Sequence, residues 1–141
     1  VRFAHLTLPT RDVDRTARFL EDTLGFTRLA VPGNSPVEAQ WLDIGGGQQL
    51  HVLHVDDFAV SPYEGEFGRH VALYHPLERF DTVKQRLLER GATVFNAVRA
   101  TPFERFFFRE PVNGYVFEVI DAARESRPAE RQAPLADHFD Q

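Results

Sequence analysis

His5-Leu6-Thr7-Leu8 and His70-Val71-Ala72-Leu73 open two stretches of this chain that pass through the same elements in the same order. The first runs through a helical stretch to Leu24-Gly25 and reaches His51 in Gln49-Leu50-His51-Val52-Leu53. The second runs to Arg90-Gly91 and reaches Glu118 in Tyr115-Val116-Phe117-Glu118-Val119. From the opening His to the Gly is 20 residues in one and 21 in the other; to the closing residue it is 46 and 48. A repeat at this spacing reads as one folding unit used twice. Its His/His and His/Glu ends place candidate ligands at matched positions, which points to one metal site between the units.

Working outward, residues 2–9 alternate, with Phe3, His5 and Thr7 on one face and Ala4, Leu6 and Leu8 on the other. Pro9 is expected to end this strand, and Thr10 or Asp12 to cap the helix that follows. Val13, Ala17, Leu20 and Leu24 form a single apolar stripe along that helix, which Gly25 stops. Strands are expected at Phe26–Val31, Ala39–Ile44 and Gln48–Val55, the last two joined by a tight turn at Gly45-Gly46-Gly47. Residues 56–67 read as a polar linker. The order then recurs: strand Arg69–Tyr74, helix Leu77–Arg90 with Phe80, Val83 and Leu87 inward, and strands Thr93–Ala97, Glu104–Arg109 and Tyr115–Asp121.

The expected fold is therefore α+β: two βαβββ modules forming curved mixed sheets around a metal cavity, with helices on the outer face. They make one domain over 1–123, with module one at 1–55, the linker at 56–67 and module two at 68–123. Residues 124–141, charged and proline-bearing, are expected to be an irregular tail. Strand parity supports the cavity. His5 shares a face with Thr7, and His70 with Ala72 and Tyr74. The opposite faces are apolar and are left to the helices.

Composition removes several classes of function. A length of 141 residues suffices for one core without metal or disulfide staples. A net charge of −5 argues against nucleic acid or an anionic membrane as the main partner. No run approaches a membrane span and no charged-then-apolar leader is read before the first strand, so the cytoplasm is the expected location. The absence of cysteine excludes disulfides, thiolate zinc sites and cysteine nucleophiles. Lys84 is the only lysine and lies on a polar helix face, which argues against Schiff-base chemistry.

The opening His5-Leu6-Thr7-Leu8, the helix end Phe19-Leu20-Glu21-Asp22-Thr23-Leu24-Gly25-Phe26, the strand Gly68-Arg69-His70-Val71-Ala72 and the closing run Arg109 to Glu118 resemble the vicinal oxygen chelate superfamily. That superfamily groups glyoxalases, extradiol dioxygenases, fosfomycin-resistance transferases and bleomycin-binding proteins, and the resemblance covers about residues 2–121. It implies a divalent metal held between two modules by His5, His70 and Glu118, binding adjacent oxygens of a substrate. Two imidazoles and a carboxylate leave coordination positions open, and such donors suit iron, manganese, nickel or zinc. His51 occupies the position in module one that matches Glu118, where metal-dependent glyoxalases place a fourth ligand. Here it is read either as that ligand or as a polar cavity residue.

Thr7, Tyr74 and His51 are the candidates for moving or stabilising a proton beside the metal. Tyr115 is a further phenol candidate, and Phe106 with Phe108 a candidate apolar substrate wall. Arg124 and Arg127 are candidate anion contacts beside a solvated tail that also holds His138, and His75 is read as a loop residue. Pro9 stands where compact glutathione-dependent glyoxalases carry Arg, and Val55 where they carry Asn. The lysine that fosfomycin transferases place before the penultimate strand is missing. The reading is a metal-dependent glyoxalase-like or dioxygenase-like enzyme performing oxygen insertion, isomerisation or lyase chemistry on a small substrate, and working as a homodimer. The alternative is a non-catalytic protein that sequesters a small molecule.

Overall fold

The Asp12 carboxylate accepts the Arg15 N–H at 3.0 Å and opens the first helix, α1, at Val13–Leu24. Gly25 closes it in the left-handed region, φ 75°, with its N–H donating to the Glu21 carbonyl. These are the start and stop read from the sequence, with Asp12 as the cap. In the computed structural model, which describes residues 1–127 and 132–135, α1 follows β1 (His5–Thr10). It precedes β2 (Thr27–Leu29), β3 (Ala39–Gly45) and β4 (Gln48–His54). The second unit comprises β5 (Val71–His75), α2 (Phe80–Glu89), β6 (Thr93–Phe95), β7 (Arg105–Arg109) and β8 (Val116–Asp121).

Each unit makes one four-stranded mixed sheet. The orders are β1-β4-β3-β2 and β5-β8-β7-β6, with β1 parallel to β4 and β5 parallel to β8. The fold is α+β and built from two copies of βαβββ. Several boundaries differ from the sequence reading. β1 does not end at Pro9 but runs through it. The carbonyls of Ala4 and Thr10 accept from Gln49 and Val55, so the even-numbered residues bond β4. Pro9 then has its nitrogen on the open edge, where a missing donor costs nothing. β2 and β6 are only three residues long, each following its helix closely. The second helix begins as a 3-10 turn, Leu77–Arg79, because Pro76 supplies no side-chain cap. Past Asp121 the chain forms another 3-10 turn, Ala122–Ser126, which crosses the expected boundary between domain and tail at residue 124. His138 lies outside the described residues.

The helices lie on the faces of the sheets turned away from His5, His51 and His70. Leu8, Leu42, Leu50 and Val52 of the first sheet join Val13, Ala17 and Leu20 of α1 in one buried cluster. The same cluster takes in Phe80, Val83 and Leu87 of α2 and Phe106, Phe108, Phe117 and Val119 of the second sheet. Phe19 meets Phe108 across the two units at 6.1 Å between ring centroids. Phe106 and Phe108, expected as a substrate wall, are thus core residues under α2. Their parity is right, but the helix covers that face.

A buried polar hub locks the units together. The Asn113 Oδ1 accepts from the Thr10 hydroxyl at 2.9 Å and the Arg11 N–H at 3.2 Å, while its Nδ2 donates to Thr16 at 3.0 Å. Asn113 is placed by Glu110, whose buried carboxylate accepts the N–H groups of Val112 and Asn113 at 2.6 and 2.8 Å. This carboxylate makes the turn that returns the chain into β8 and so sets the register that positions Glu118. Tyr115 donates its hydroxyl to the Pro9 carbonyl at 2.7 Å. Burial pushes that phenol well above the ordinary tyrosine value. Tyr115 is therefore a structural clasp on the open edge of β1, and its role as a proton donor is withdrawn.

Candidate metal centre

His5 enters the sheet at the first residue of β1, in register with Gln49; Thr7 lies two residues on, opposite His51 of β4. Strand alternation puts the three side chains on the face away from α1. The His5 and His51 rings stack at 4.0 Å and 14°, and His51 stacks in turn on Trp41 of β3 at 4.0 Å and 5°. His51 Nε2 and the Gln49 amide oxygen are 2.8 Å apart, which assigns the ring proton to Nε2 in this arrangement. Burial, with His5 adding to it, holds the His51 imidazole below the ordinary histidine value. His51 is therefore a neutral ring at pH 7, with Nδ1 as its free lone pair. Thr7 is exposed beside it.

The second unit offers a different pair. His70 Nδ1 lies 3.0 Å from the Gly65 carbonyl, an acceptor only, so Nδ1 carries the proton. Its Nε2 stands 3.2 Å from Glu118 Oε1. With the ring neutral, two lone pairs face one another across that gap. A cation satisfies both, either a proton on the imidazole or a metal ion. The other carboxylate oxygen of Glu118 accepts from Arg105 Nη1 at 2.8 Å. Phe107 meets the His70 ring in a T-shaped contact at 5.3 Å and stacks on Phe95 at 5.4 Å. Tyr74 lies on the His70 side of β5, in register with Ile120, and is exposed.

His5 with His51, and His70 with Glu118, are thus brought together as two pairs. Among the described residues, no three His, Asp or Glu side chains converge as a complete ligand set within one chain. His5 and His70 nevertheless border one cavity of about 350 Å³, whose other walls include Phe3, Leu6, Ile44 and Val71. It lies where β1 and β5, each the outer strand of its sheet, leave an edge unpaired by another strand. The donors fit a divalent ion. Each pair includes imidazole nitrogen, one pair adds a carboxylate, and His70 is oriented by a backbone carbonyl as metal-bound histidines usually are.

Sequence reasoning missed Trp41, Arg105 and the Gly65 carbonyl. Trp41 carries a signal only once the β3–β4 register, Trp41 opposite His51, is known. Arg105 carries no signal of its own, because its carboxylate partner, Glu118, lies across the β7–β8 hairpin. Arg124 stacks its guanidinium over Phe103 at 4.2 Å, and Arg127 pairs with Asp121 at 3.0 Å. His75, read as a loop residue, ends β5.

The family described as the Glyoxalase/Bleomycin resistance protein/Dioxygenase superfamily matches residues 2–119. No curated protein matches the chain. Among solved structures, the fosfomycin resistance protein FosX from Mesorhizobium loti is 20% identical with a TM-score of 0.65, covering 89% of this chain and 98% of its own. A mutant of FosX from Listeria monocytogenes, complexed with Mn(II) and 1S,2S-dihydroxypropylphosphonic acid, is 18% identical with a TM-score of 0.73, covering 91% and 97%. A possible glyoxalase from Bacillus cereus is 24% identical with a TM-score of 0.60, covering 85% and 98%. No helix among the described residues is long and apolar enough to cross a membrane.

Proposed function

Because this chain belongs to the Glyoxalase/Bleomycin resistance protein/Dioxygenase superfamily, we propose that it is a divalent-metal-dependent enzyme acting on a small substrate with adjacent oxygens. The observation that carries this reading is the pair His70 Nε2 and Glu118 Oε1, 3.2 Å apart, with the imidazole proton tied back to Gly65. His5 is the third ligand, and His51 stands next to it as a neutral base or a fourth donor. Iron, manganese, nickel and zinc all suit the set. One structural neighbour is complexed with Mn(II) and a phosphonic acid bearing two adjacent hydroxyls, the oxygen pattern proposed here.

We infer that the working unit is a homodimer, because β1 and β5 each leave an edge unpaired by another strand. His5 of one protomer joins His70 and Glu118 of its partner, and the open edges of β1 and β5 supply the contact. Within this reading residues 1–123 act as one domain, with 1–55 and 68–123 as modules and 56–67 as the connection.

A divalent ion held by His5, His70 and Glu118 would supply Lewis-acid polarisation of a substrate oxygen. The chain's own residues do the rest. Thr7 offers a hydroxyl that both donates and accepts, beside His5. Tyr74 offers a phenol proton on the His70 side. His51, neutral at pH 7, accepts a proton at Nδ1. Phe107 packs against the His70 ring.

The test combines metal content with mixed dimers. The wild-type protein is expected to hold about one ion per chain, and His5→Ala or Glu118→Ala alone none. Co-expressing those two variants restores about one ion per mixed dimer if ligands are shared between protomers. It restores none if each chain builds its own site. No metal in the wild type after reconstitution with all four ions overturns the enzyme reading. The second reading, a metal-independent binder of apolar molecules, rests on the apolar walls of the cavity. It predicts ligand binding that survives Glu118→Ala.

A further inference from the structure

The geometry points to Arg105 as the residue that makes Glu118 a one-oxygen ligand, an inference that rests on the metal reading above. Arg105 is nine-tenths or more buried: its side chain is 4% exposed, against 8% for Glu118. Its Nη1 donates to Glu118 Oε2 at 2.8 Å, while Oε1 is turned toward His70 Nε2. The two carboxylate oxygens therefore have different fates. One is spent on a charge-assisted bond within the protein, and the other keeps its lone pair for the cation.

Arg105 is also prevented from following Glu118. Its Nη2 donates to the Arg99 carbonyl at 2.5 Å and to Glu66 Oε2 at 3.3 Å. Glu66 is held by the N–H groups of Val98 and Arg99 at 2.7 and 3.1 Å. The guanidinium carbon sits over the Phe107 ring at 5.5 Å, and the same ring makes a T-shaped contact with His70. A carboxylate that turned to bring both oxygens onto an ion would break the Nη1 bond and leave that donor of a buried guanidinium without its acceptor. That cost is absent for a one-oxygen mode.

The consequence bears on substrate chelation. With His5, His70 and one oxygen of Glu118, three of roughly six positions around an ion such as manganese are taken, leaving room for two adjacent substrate oxygens and a water. A two-oxygen Glu118 removes one of those places. Arg105 is thus a positioning residue, acting through Glu118 and touching neither substrate nor metal.

Two measurements on Mn(II)-loaded protein test this without using activity. In the wild type, the metal-loaded minus apo infrared difference, assigned by its loss in Glu118→Gln, should show the wide carboxylate band splitting of one-oxygen ligation. A narrow splitting overturns the inference, and this arm does not depend on any Arg105 variant folding. Water-proton relaxivity should then fall by roughly a third in Arg105→Met, as one of about three exchangeable water positions is lost. Arg105→Lys, which keeps one donor, should return it toward the wild-type value. A folded, loaded Arg105→Met with unchanged relaxivity overturns the inference while leaving the metal site standing. Failure of the wild type to bind Mn(II), when another of the four ions binds stoichiometrically and shows the narrow splitting, likewise overturns the inference alone. Failure to bind any of the four overturns both.

Discussion

Trp41 lies flat on His51, ring centroids 4.0 Å apart and planes 5° apart, and the far face of His51 is covered by His5. Trp41 is the only tryptophan of the chain, so its emission reports on one side of the proposed metal centre. A paramagnetic ion taken up beside His5 should quench that emission, saturating near one ion per chain. His5→Ala should abolish the saturable part while leaving the unliganded spectrum nearly unchanged. His51→Ala should shift the unliganded emission to longer wavelength, because the indole loses its stacking partner and meets water. Equal quenching in wild type and His5→Ala would place the ion elsewhere.

Glu118→Gln keeps shape but removes the charge that a cation needs. Metal affinity should fall by more than the ~10–100-fold typical of losing a ligand's outer partner. The rise in melting temperature that metal produces should disappear in step, since only ligand that binds the native state stabilises it. Calorimetric titration together with thermal melts, with and without metal, checks both.

Phe107 and Phe108 are adjacent and both buried, but they face opposite sides of β7. Phe108→Ala opens the helix-covered core and should cost about 3–5 kcal/mol. Phe107→Ala should cost a comparable amount and additionally weaken metal binding, because Phe107 flanks His70 and lies under Arg105. Denaturant unfolding paired with metal titration separates the two. Equal metal affinity in both variants would contradict the placement of Phe107 beside the site.

Asn113 joins the two units through three hydrogen bonds to Thr10, Arg11 and Thr16. Asn113→Ala leaves Thr10, Thr16 and the Arg11 N–H short of partners and should destabilise by about 2–3 kcal/mol. Because the bonds cross between units, hydrogen exchange should rise at both Thr16 and Tyr115. A loss confined to the β7–β8 turn would mean that the units are held by their other contacts, the Tyr115–Pro9 bond and the apolar packing.

His75 gives stability a pH dependence. Burial is the main reason its imidazole lies below the ordinary 6.5, with the Arg79 charge adding to the effect. Its Nε2 is buried without a partner among the described residues. The unfolded chain binds the proton more readily, so the stability due to a neutral His75 is fully present above pH 6.5 and is lost as pH falls from there through the lower folded value. His75→Phe should flatten that part of the profile. Melts of the metal-free protein between about pH 8 and about pH 5 measure it.

The two βαβββ units, their order and both helices were legible because each rests on local signals. These are the period-2 faces around His5 and His70, the Val13–Leu24 stripe, the Asp12 cap and Gly25 with its positive φ. The errors arose where a neighbour decides. Pro9 reads as a terminator until β1 is known to be an outer strand, with the Pro9 nitrogen on its open side. Phe106 and Phe108 share a face either way, but only the packing of α2 says which face is covered.

The sequence by itself determined which residues are candidate ligands, since the repeat pairs His5 with His70 and His51 with Glu118 through spacing alone. Tertiary structure decided what each of them touches. It set His51 between His5 and Trp41, turned Glu118 Oε1 toward His70, gave its other oxygen to Arg105, and brought His5 and His70 to the walls of one cavity. The physical reason is range. Alternation and capping act over a few residues of backbone, whereas a coordination set depends on side chains 46 to 113 positions apart. Strand register and the packing of one sheet against another bring such residues together, and a linear pattern does not carry that information.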